Sequence, residues 1–134
     1  MRLLGIDYGE KNVGIALSDD KGMMAFPKAV LPNDNFLMTE VKNLIAGHGV
    51  GAVVIGESKD YKMKDNRIMA KARAFADELA RDTGIAVAYE PELLSSHQAA
   101  HFQGKTAMID ASAASIILQS YIDRAKNTEN TNDR

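Results

Sequence analysis

The chain has 134 residues, a length that suits one domain with a single hydrophobic core. It contains no Cys, which excludes disulfides, thiolate chemistry and Cys-based zinc sites. Its net charge of -2 argues against non-specific coating of nucleic acid but leaves room for a local basic patch. No apolar run approaches the ~20 residues of a membrane-spanning helix, and Asp7 comes too early for a signal peptide. We therefore expect a cytoplasmic domain with no membrane association.

The first part of the chain predicts three strands joined by short turns. Apolar runs cover residues 3–7, 13–18 and 23–31, and residues of turn composition separate them. Pro27 in the third run predicts an edge strand, because proline cannot donate a hydrogen bond to a neighbouring strand. Short connections of this kind favour antiparallel neighbours, so these strands should form a meander.

The rest of the chain alternates between helical and strand patterns. Apolar residues at helical spacing predict helices over 36–48 and 66–83, and glycines follow both. Apolar runs at 51–56 and 85–89 predict two more strands, and a polar loop over 57–65 separates the first of them from the second helix. A capping-box spacing predicts a short helix that starts at Ser95, and a long amphipathic helix covers 109–126.

This order of elements predicts an α/β fold with a five-stranded mixed sheet. The three-stranded antiparallel meander is extended by two parallel strands, and helices cover both faces of the sheet. We expect one domain over residues 1–127, followed by a disordered polar tail over 128–134.

Three acidic residues stand where a carboxylate needs a partner. Asp7 ends an apolar strand, although Asp is depleted in strands. Asp110 lies near the start of the last helix and shares its apolar stripe with Ala114 and Ile117, where an unpaired charge is costly. Glu92 follows the fifth strand, at the end of a strand where α/β proteins usually carry site residues.

Each acid also has a simpler interpretation. Asp7 could cap the turn that follows it, and Asp110 could be favoured by the dipole of its helix. Glu90 and Glu92 could be exposed loop acids, which is the interpretation we favour for Glu90. Together, however, the carboxylates of Asp7, Glu92 and Asp110 are hard oxygen ligands, which select Mg²⁺ or Mn²⁺. Two such ions can activate a water molecule and stabilise the leaving oxygen of a phosphodiester.

A basic segment over residues 59–73 is the candidate surface for nucleic acid. It contains six basic and two acidic residues, and Tyr61 adds a ring that could stack on a base. Arg67 and Lys71 are one helical turn apart, so they should share a face. We hypothesise that Lys62, Lys64, Arg67 and Lys71 contact phosphates, whereas the alternative is an ordinary solvated helix face.

Two blocks of sequence resemble a known family. Gly5-Ile6-Asp7-Tyr8-Gly9, followed by Lys11 and Val13-Gly14-Ile15-Ala16, is similar to the opening signature of the YqgF-type pre-16S rRNA nucleases. Ile109-Asp110-Ala111-Ser112-Ala113-Ala114 resembles their C-terminal signature, and the match continues in order through nearly the whole chain. The family is also described as Holliday-junction-resolvase-like.

The resemblance implies an RNase H-like fold and catalytic, metal-binding acids at Asp7, Glu92 and Asp110. It also implies a substrate-binding lysine loop before the last signature, which Lys105 represents in this chain. One departure concerns the middle acid: the family usually shows Asp-Glu-Arg where this chain has Pro91-Glu92-Leu93.

The sequence as a whole therefore predicts a metal-dependent endonuclease, a hydrolase that acts on phosphodiesters of structured nucleic acid. The resemblance implies pre-16S rRNA processing. One alternative is a resolvase of branched DNA, which an obligate dimer would favour because two strands must be cut. A second alternative is a catalytically weak nucleic-acid-binding or regulatory module, which the altered residues around Glu92 would favour. We expect a monomer or a homodimer.

Overall fold

The computed structural model describes residues 1–57, 67–91 and 107–132, and within the last stretch it describes side chains for 111–127. Strands and helices follow one another there in the predicted order, with differences at their ends. The elements are β1 (Arg2–Tyr8), β2 (Asn12–Ser18), β3 (Ala25–Pro32), α1 (Leu37–His48), β4 (Val50–Glu57), α2 (Arg67–Thr83), β5 (Ala86–Pro91) and α3 (Ala107–Asn132). The short helix expected at Ser95 lies outside the described residues.

The described strands form one mixed sheet in the order β3-β2-β1-β4-β5. β2 pairs with β1 and β3 in antiparallel fashion, and β4 pairs with β1 and β5 in parallel fashion. This confirms the predicted meander and the two added parallel strands, and it confirms that Pro27 lies in an edge strand. Because β1, β4 and β5 are parallel, their last residues meet along one side of the sheet, which we call the carboxyl edge.

Helices cover both faces of the sheet, as the sequence predicts. On one face α1 and α2 contribute Val41 and Leu79, which pack on Leu4 and Ile6 of β1. Burying each of these side chains stabilises the fold by roughly 1.5–3 kcal/mol. On the other face α3 supplies a smaller apolar cluster around Leu118. The central strand β1 therefore alternates, with even-numbered side chains towards α1 and α2 and odd-numbered positions towards α3.

The helix α3 approaches β1 most closely at Gly5. A Cβ atom placed on Gly5 would lie 2.9 Å from the Leu118 Cβ and 3.1 Å from the Ala114 carbonyl oxygen. Further along α3, the Gln119 side chain accepts a hydrogen bond from the Ala25 N–H (2.8 Å) and donates one to the Met23 carbonyl (3.2 Å). These contacts fix α3 against the sheet from the central strand to the start of β3.

Glycines end α1 and α2 as the sequence predicts. Gly49 caps α1 with a φ of 64°, and Gly84 follows α2 with a φ of 75°, values that favour glycine because it has no Cβ. α3 runs to Asn132 and so enters the segment 128–134. No helix among the described residues is long and apolar enough to cross a membrane.

Candidate functional site

Asp7 lies next to the last residue of β1, at the carboxyl edge. It is half-buried, and its Cα is paired with that of Gly14 in β2. Since side chains alternate along a strand, Asp7 shares a face with Leu3 and Gly5 and points to the side of the sheet that α3 covers. Asp7 is thus carried by the central strand of the sheet.

Buried glycines flank Asp7 on both neighbouring strands. Gly14 is its partner in β2. In β4, Ile55 is paired with Ile6, so Gly56 is the residue that comes next to Asp7. Both glycines are buried. Neither neighbouring strand therefore places a side chain beside the Asp7 carboxylate.

The turn between β1 and β2 is held from the end of β3. Asn33 donates a side-chain hydrogen bond to the Gly9 carbonyl (2.8 Å) and a backbone hydrogen bond to the Lys11 carbonyl (2.9 Å). A Cβ on Gly9 would lie 2.4 Å from the Asn12 carbonyl oxygen, so the turn requires glycine there. These contacts fix the chain immediately after Asp7.

The structure describes less of the other two candidate acids. Glu92 directly follows Pro91, the last residue of β5, and lies outside the described residues. Asp110 is in the first turn of α3, one turn before the residue whose carbonyl approaches Gly5, and its side chain is not described. Among the described side chains, no three His, Asp or Glu residues form a metal-binding group, and of the three acids that set includes only Asp7.

The expectation that Glu90 is an exposed loop acid is wrong. Glu90 belongs to β5 and only 4% of its surface is exposed. Its Oε2 accepts a hydrogen bond from the Ser120 hydroxyl (2.9 Å), and its Oε1 accepts bonds from the Arg124 Nε (3.1 Å) and Nη2. Burial is possible because both carboxylate oxygens have donors on α3.

The expectation that Glu57 starts a polar loop is also wrong, because Glu57 is the last residue of β4. Its Oε2 accepts a hydrogen bond from the Arg73 Nη2 (2.8 Å), and the Arg73 guanidinium lies 4.8 Å from the centre of the Tyr89 ring. Burial, reinforced by the charge of Asp77, raises the pKa of the Tyr89 phenol. This cluster lies on the α1 and α2 side of the sheet. The only sign of it in the sequence is that Arg73 ends the basic segment.

The basic segment is described only from Arg67 onwards. Arg67 and Lys71 are both exposed on the first two turns of α2. Because α2 connects the end of β4 to the start of the parallel strand β5, its first turns lie towards the carboxyl edge. Two exposed cations thus lie towards the same carboxyl edge as Asp7, although α2 covers the face opposite to the one towards which Asp7 points. Lys62, Lys64 and Lys105 lie outside the described residues.

Comparisons with known proteins agree with this arrangement. The model of the RuvX family, described as Holliday junction resolvase, matches residues 1–124. A protein of Anaeromyxobacter sp. named "Putative pre-16S rRNA nuclease" is 34% identical over 133 residues, covering 92% of this chain and 97% of that protein. A protein of the same name from Agathobacter rectalis is 30% identical over 141 residues, covering 96% and 99%.

Among solved structures, Thermus thermophilus RuvC in complex with a Holliday junction substrate superimposes with a TM-score of 0.63 at 18% identity. The match covers 96% of this chain and 98% of that one. At this level of identity the likeness concerns the fold, and it confirms the RNase H-like architecture that the sequence resemblance implies.

Proposed function

Because the chain belongs to the RuvX family, we propose that it is a metal-dependent endonuclease that hydrolyses phosphodiesters in structured nucleic acid. The substrate we favour is pre-16S rRNA, which the names of its sequence relatives give for those proteins. The observation that supports this most is Asp7, a half-buried carboxylate at the carboxyl end of the central strand, between two buried glycines. The carboxyl end of a strand is where α/β folds usually place a site residue.

Asp7, Glu92 and Asp110 would hold Mg²⁺ or Mn²⁺. The donor set fits these ions, because carboxylate oxygens are hard ligands and the chain has no Cys to favour a softer metal. When bound, such an ion activates water and stabilises the leaving oxygen of a phosphodiester.

The protein's own residues position and orient the substrate and the ion. Asp7 has a short side chain, and it follows Ile6, which is fully buried together with its partner Ile15 in β2. Gly14 and Gly56 place no side chain beside that carboxylate. Arg67 and Lys71 would bind phosphates on one side of the cleavage point, together with Lys62, Lys64 and Lys105.

Cleavage assays with matched variants test the assignment. Labelled pre-16S rRNA fragments and four-way junction DNA are incubated with the protein and Mn²⁺. Asp7→Asn should lower the cleavage rate by about two orders of magnitude or more, the effect of removing one electrostatic stabiliser from an active site. The matched control is Asp20→Asn, an exposed acid in the turn after β2, which should cleave like the wild type. Equal activity of the wild type and Asp7→Asn would refute the metal site.

The same assay separates the substrates. The likeness of the fold to RuvC favours junction DNA as the second candidate. Symmetrical cutting of the junction with no cleavage of RNA would show that the chain resolves branched DNA. Binding of either nucleic acid without any metal-dependent cleavage would show a non-catalytic module.

The basic surface has its own test. Reversing the charge of Lys62, Lys64 and Arg67 should weaken RNA binding and reduce the slope of log affinity against log salt by roughly 0.7–0.9 for each phosphate that is no longer bound. The control reverses Lys21, in the turn after β2, and Lys28, on the outer strand β3, both of which are exposed. If both sets of variants keep the slope of the wild type, the segment does not bind phosphates.

A further inference from the structure

Phe36 exposes its ring at the point where β3 leads into α1. As much as 70% of its surface is exposed, and it is the N-cap residue of α1, where it makes no side-chain capping hydrogen bond. Ser, Thr, Asp and Asn stabilise a helix in this position, because their side chains accept a hydrogen bond from a backbone N–H. Neither the core nor the start of the helix therefore explains an aromatic side chain here.

The backbone around Phe36 is fixed by short-range hydrogen bonds. The Phe36 N–H donates to the Asp34 Oδ1 (2.9 Å), and the Leu37 N–H donates to the Asp34 carbonyl (3.1 Å). The Phe36 carbonyl in turn accepts a hydrogen bond from the Glu40 N–H (2.9 Å). The exposed ring is thus carried by a turn with several internal hydrogen bonds.

This turn adjoins the turn between β1 and β2. Asn33, which precedes Phe36 in the same connection, donates hydrogen bonds to the carbonyls of Gly9 (2.8 Å) and Lys11 (2.9 Å). Lys11 is exposed, so a cation and an aromatic ring are both presented on adjoining turns at the carboxyl edge. Gly9 follows Asp7 by two residues, which span about 7 Å of extended chain. Because α1 covers the face opposite to the one towards which Asp7 points, a ligand that contacts both must cross the carboxyl edge.

A protein-binding surface would need more apolar area than Phe36 offers, because such surfaces are contiguous apolar patches. The other large apolar side chains that the described residues expose lie in β3 and the turn before it or at the start of the chain: Met1, Met23, Met24 and Phe26. Among the described residues, Phe36 is thus the one large exposed apolar side chain at the carboxyl edge, and its neighbouring turn presents charged groups.

A cation beside an aromatic ring is the combination with which proteins bind single-stranded nucleic acid. The cation contacts a phosphate, and the ring stacks on a base, whose face is accessible when the base is unpaired. We propose that Phe36 and Lys11 form a subsite for an unpaired nucleotide of the substrate, in which Phe36 stacks on the base and Lys11 binds a phosphate. This inference rests on the proposed function, since the nucleotide belongs to the nucleic acid that is cleaved at Asp7.

The chain offers matched controls away from the carboxyl edge. β2 ends beside the start of β1, and Gly22 in the turn that follows it lies close to the Met1 carbonyl. Lys21 is exposed in this turn, and Phe26, with 51% of its surface exposed, follows at the start of β3. These two residues match Lys11 and Phe36 in type and exposure but lie at the other end of the sheet.

Stacking can be observed directly, because the chain contains no Trp and Phe36→Trp introduces a single indole. The probe is an RNA hairpin with a single-stranded adenosine extension, and EDTA prevents metal-dependent cleavage. Binding of this RNA should quench the indole emission of Phe36→Trp, since a base that stacks on indole quenches it. The emission of Phe26→Trp should not change. A fully paired RNA without the extension should quench neither variant.

Affinity for the same RNA gives an independent measure. Phe36→Ala should weaken binding roughly 5- to 100-fold, the effect of losing one base stacked on an aromatic ring, and Phe36→Tyr should retain it. Lys11→Ala should weaken binding and reduce the slope of log affinity against log salt by about 0.7. Glu10→Gln, which removes the exposed acid beside Lys11, should strengthen binding. Phe26→Ala and Lys21→Ala should bind like the wild type.

The outcomes separate a failure of this subsite from a failure of the proposed function. If the RNA binds Phe36→Trp without quenching it and binds Phe36→Ala as tightly as the wild type, the subsite is overturned. Cleavage that still depends on Asp7 would then leave the proposed function intact. A wild-type protein that binds no RNA would overturn both. Emission of Phe36→Trp that shifts to the blue with rising protein concentration, in the absence of RNA, would assign the ring to a contact between copies and overturn the subsite.

Discussion

Gly5 of β1 and Leu118 of α3 are so close that a methyl group on Gly5 would lie 2.9 Å from the Leu118 Cβ. Cβ atoms in proteins do not approach other heavy atoms to this distance, so any larger residue must push the helix away from the strand. Gly5 is two residues from Asp7, and α3 carries Asp110. The contact therefore sets how near the start of the helix comes to the end of the central strand.

We expect Gly5→Ala to destabilise the fold by about 1–3 kcal/mol, the usual cost of overpacking a core. It should also lower cleavage, since α3 must move away from β1. Urea unfolding and cleavage rates measure the two effects. Gly47→Ala is the matched control, because a Cβ there meets no atom within 4 Å and Gly47 lies inside α1. That variant should be stabilised by about 0.5–1 kcal/mol. A Gly5→Ala protein as stable and active as the wild type would contradict the close contact.

Gly56→Ala should place a methyl group beside Asp7 and lower the cleavage rate by tenfold or more, as roughly 1 Å of misplacement does in an active site. The Tm and the cleavage rate are measured together. Gly51→Ala, in the same strand, should leave both nearly unchanged, because its Cβ meets only the flexible and exposed side chain of Met1. Full activity of Gly56→Ala would show that ligands do not approach over β4.

Arg73→Ala should destabilise the protein by about 1 kcal/mol, because it removes a half-buried ion pair with Glu57 and the stacking on Tyr89. Arg73→Lys should recover only part of this stability, since an ammonium group cannot stack as a planar guanidinium does. Arg81→Ala, an exposed residue of the same helix, is the control and should change stability little. Urea unfolding provides the comparison, and equal values for Arg73→Ala and Arg81→Ala would show that the cluster adds nothing.

Asp19 should make the stability depend on pH at the acidic end. Hydrogen bonds from the backbone N–H groups of Met24 and then Met23 hold the pKa of the Asp19 carboxyl below its usual 3.8. A carboxyl whose pKa is lowered by folding stabilises the protein above its unfolded pKa, and this contribution is lost as the pH falls through the folded pKa. Asp19→Ala should therefore lower the Tm at neutral pH, and the difference from the wild type should shrink below pH 3.8. Asp20→Ala is the neighbouring control. A difference for Asp19→Ala that stays constant over this range would exclude the carboxylate as its source.

The sheet could be predicted from the sequence because its strands have short-range signatures. Apolar runs separated by short turns mark the meander. The continuous apolar run in β4 reflects the burial of that strand on both faces. The burial of Glu90 could not be predicted, because its partners come from α3, 30 and 34 residues later. Beside Pro91, an acid has the local pattern of a loop residue. Asp7 is different, because a carboxylate at the end of an apolar strand is unusual on its own.

The proline in β3 also bears on how copies of this protein could associate. β3 is an outer strand of the sheet, and Pro27 and Lys28 are both exposed on it. A strand that lacks an N–H and carries a charge resists pairing with the strand of another molecule. Continuous sheets across two copies are therefore disfavoured on this side. A dimer that cuts two strands of a junction would have to form through helices or through another surface, which would set the spacing and direction of its two cuts.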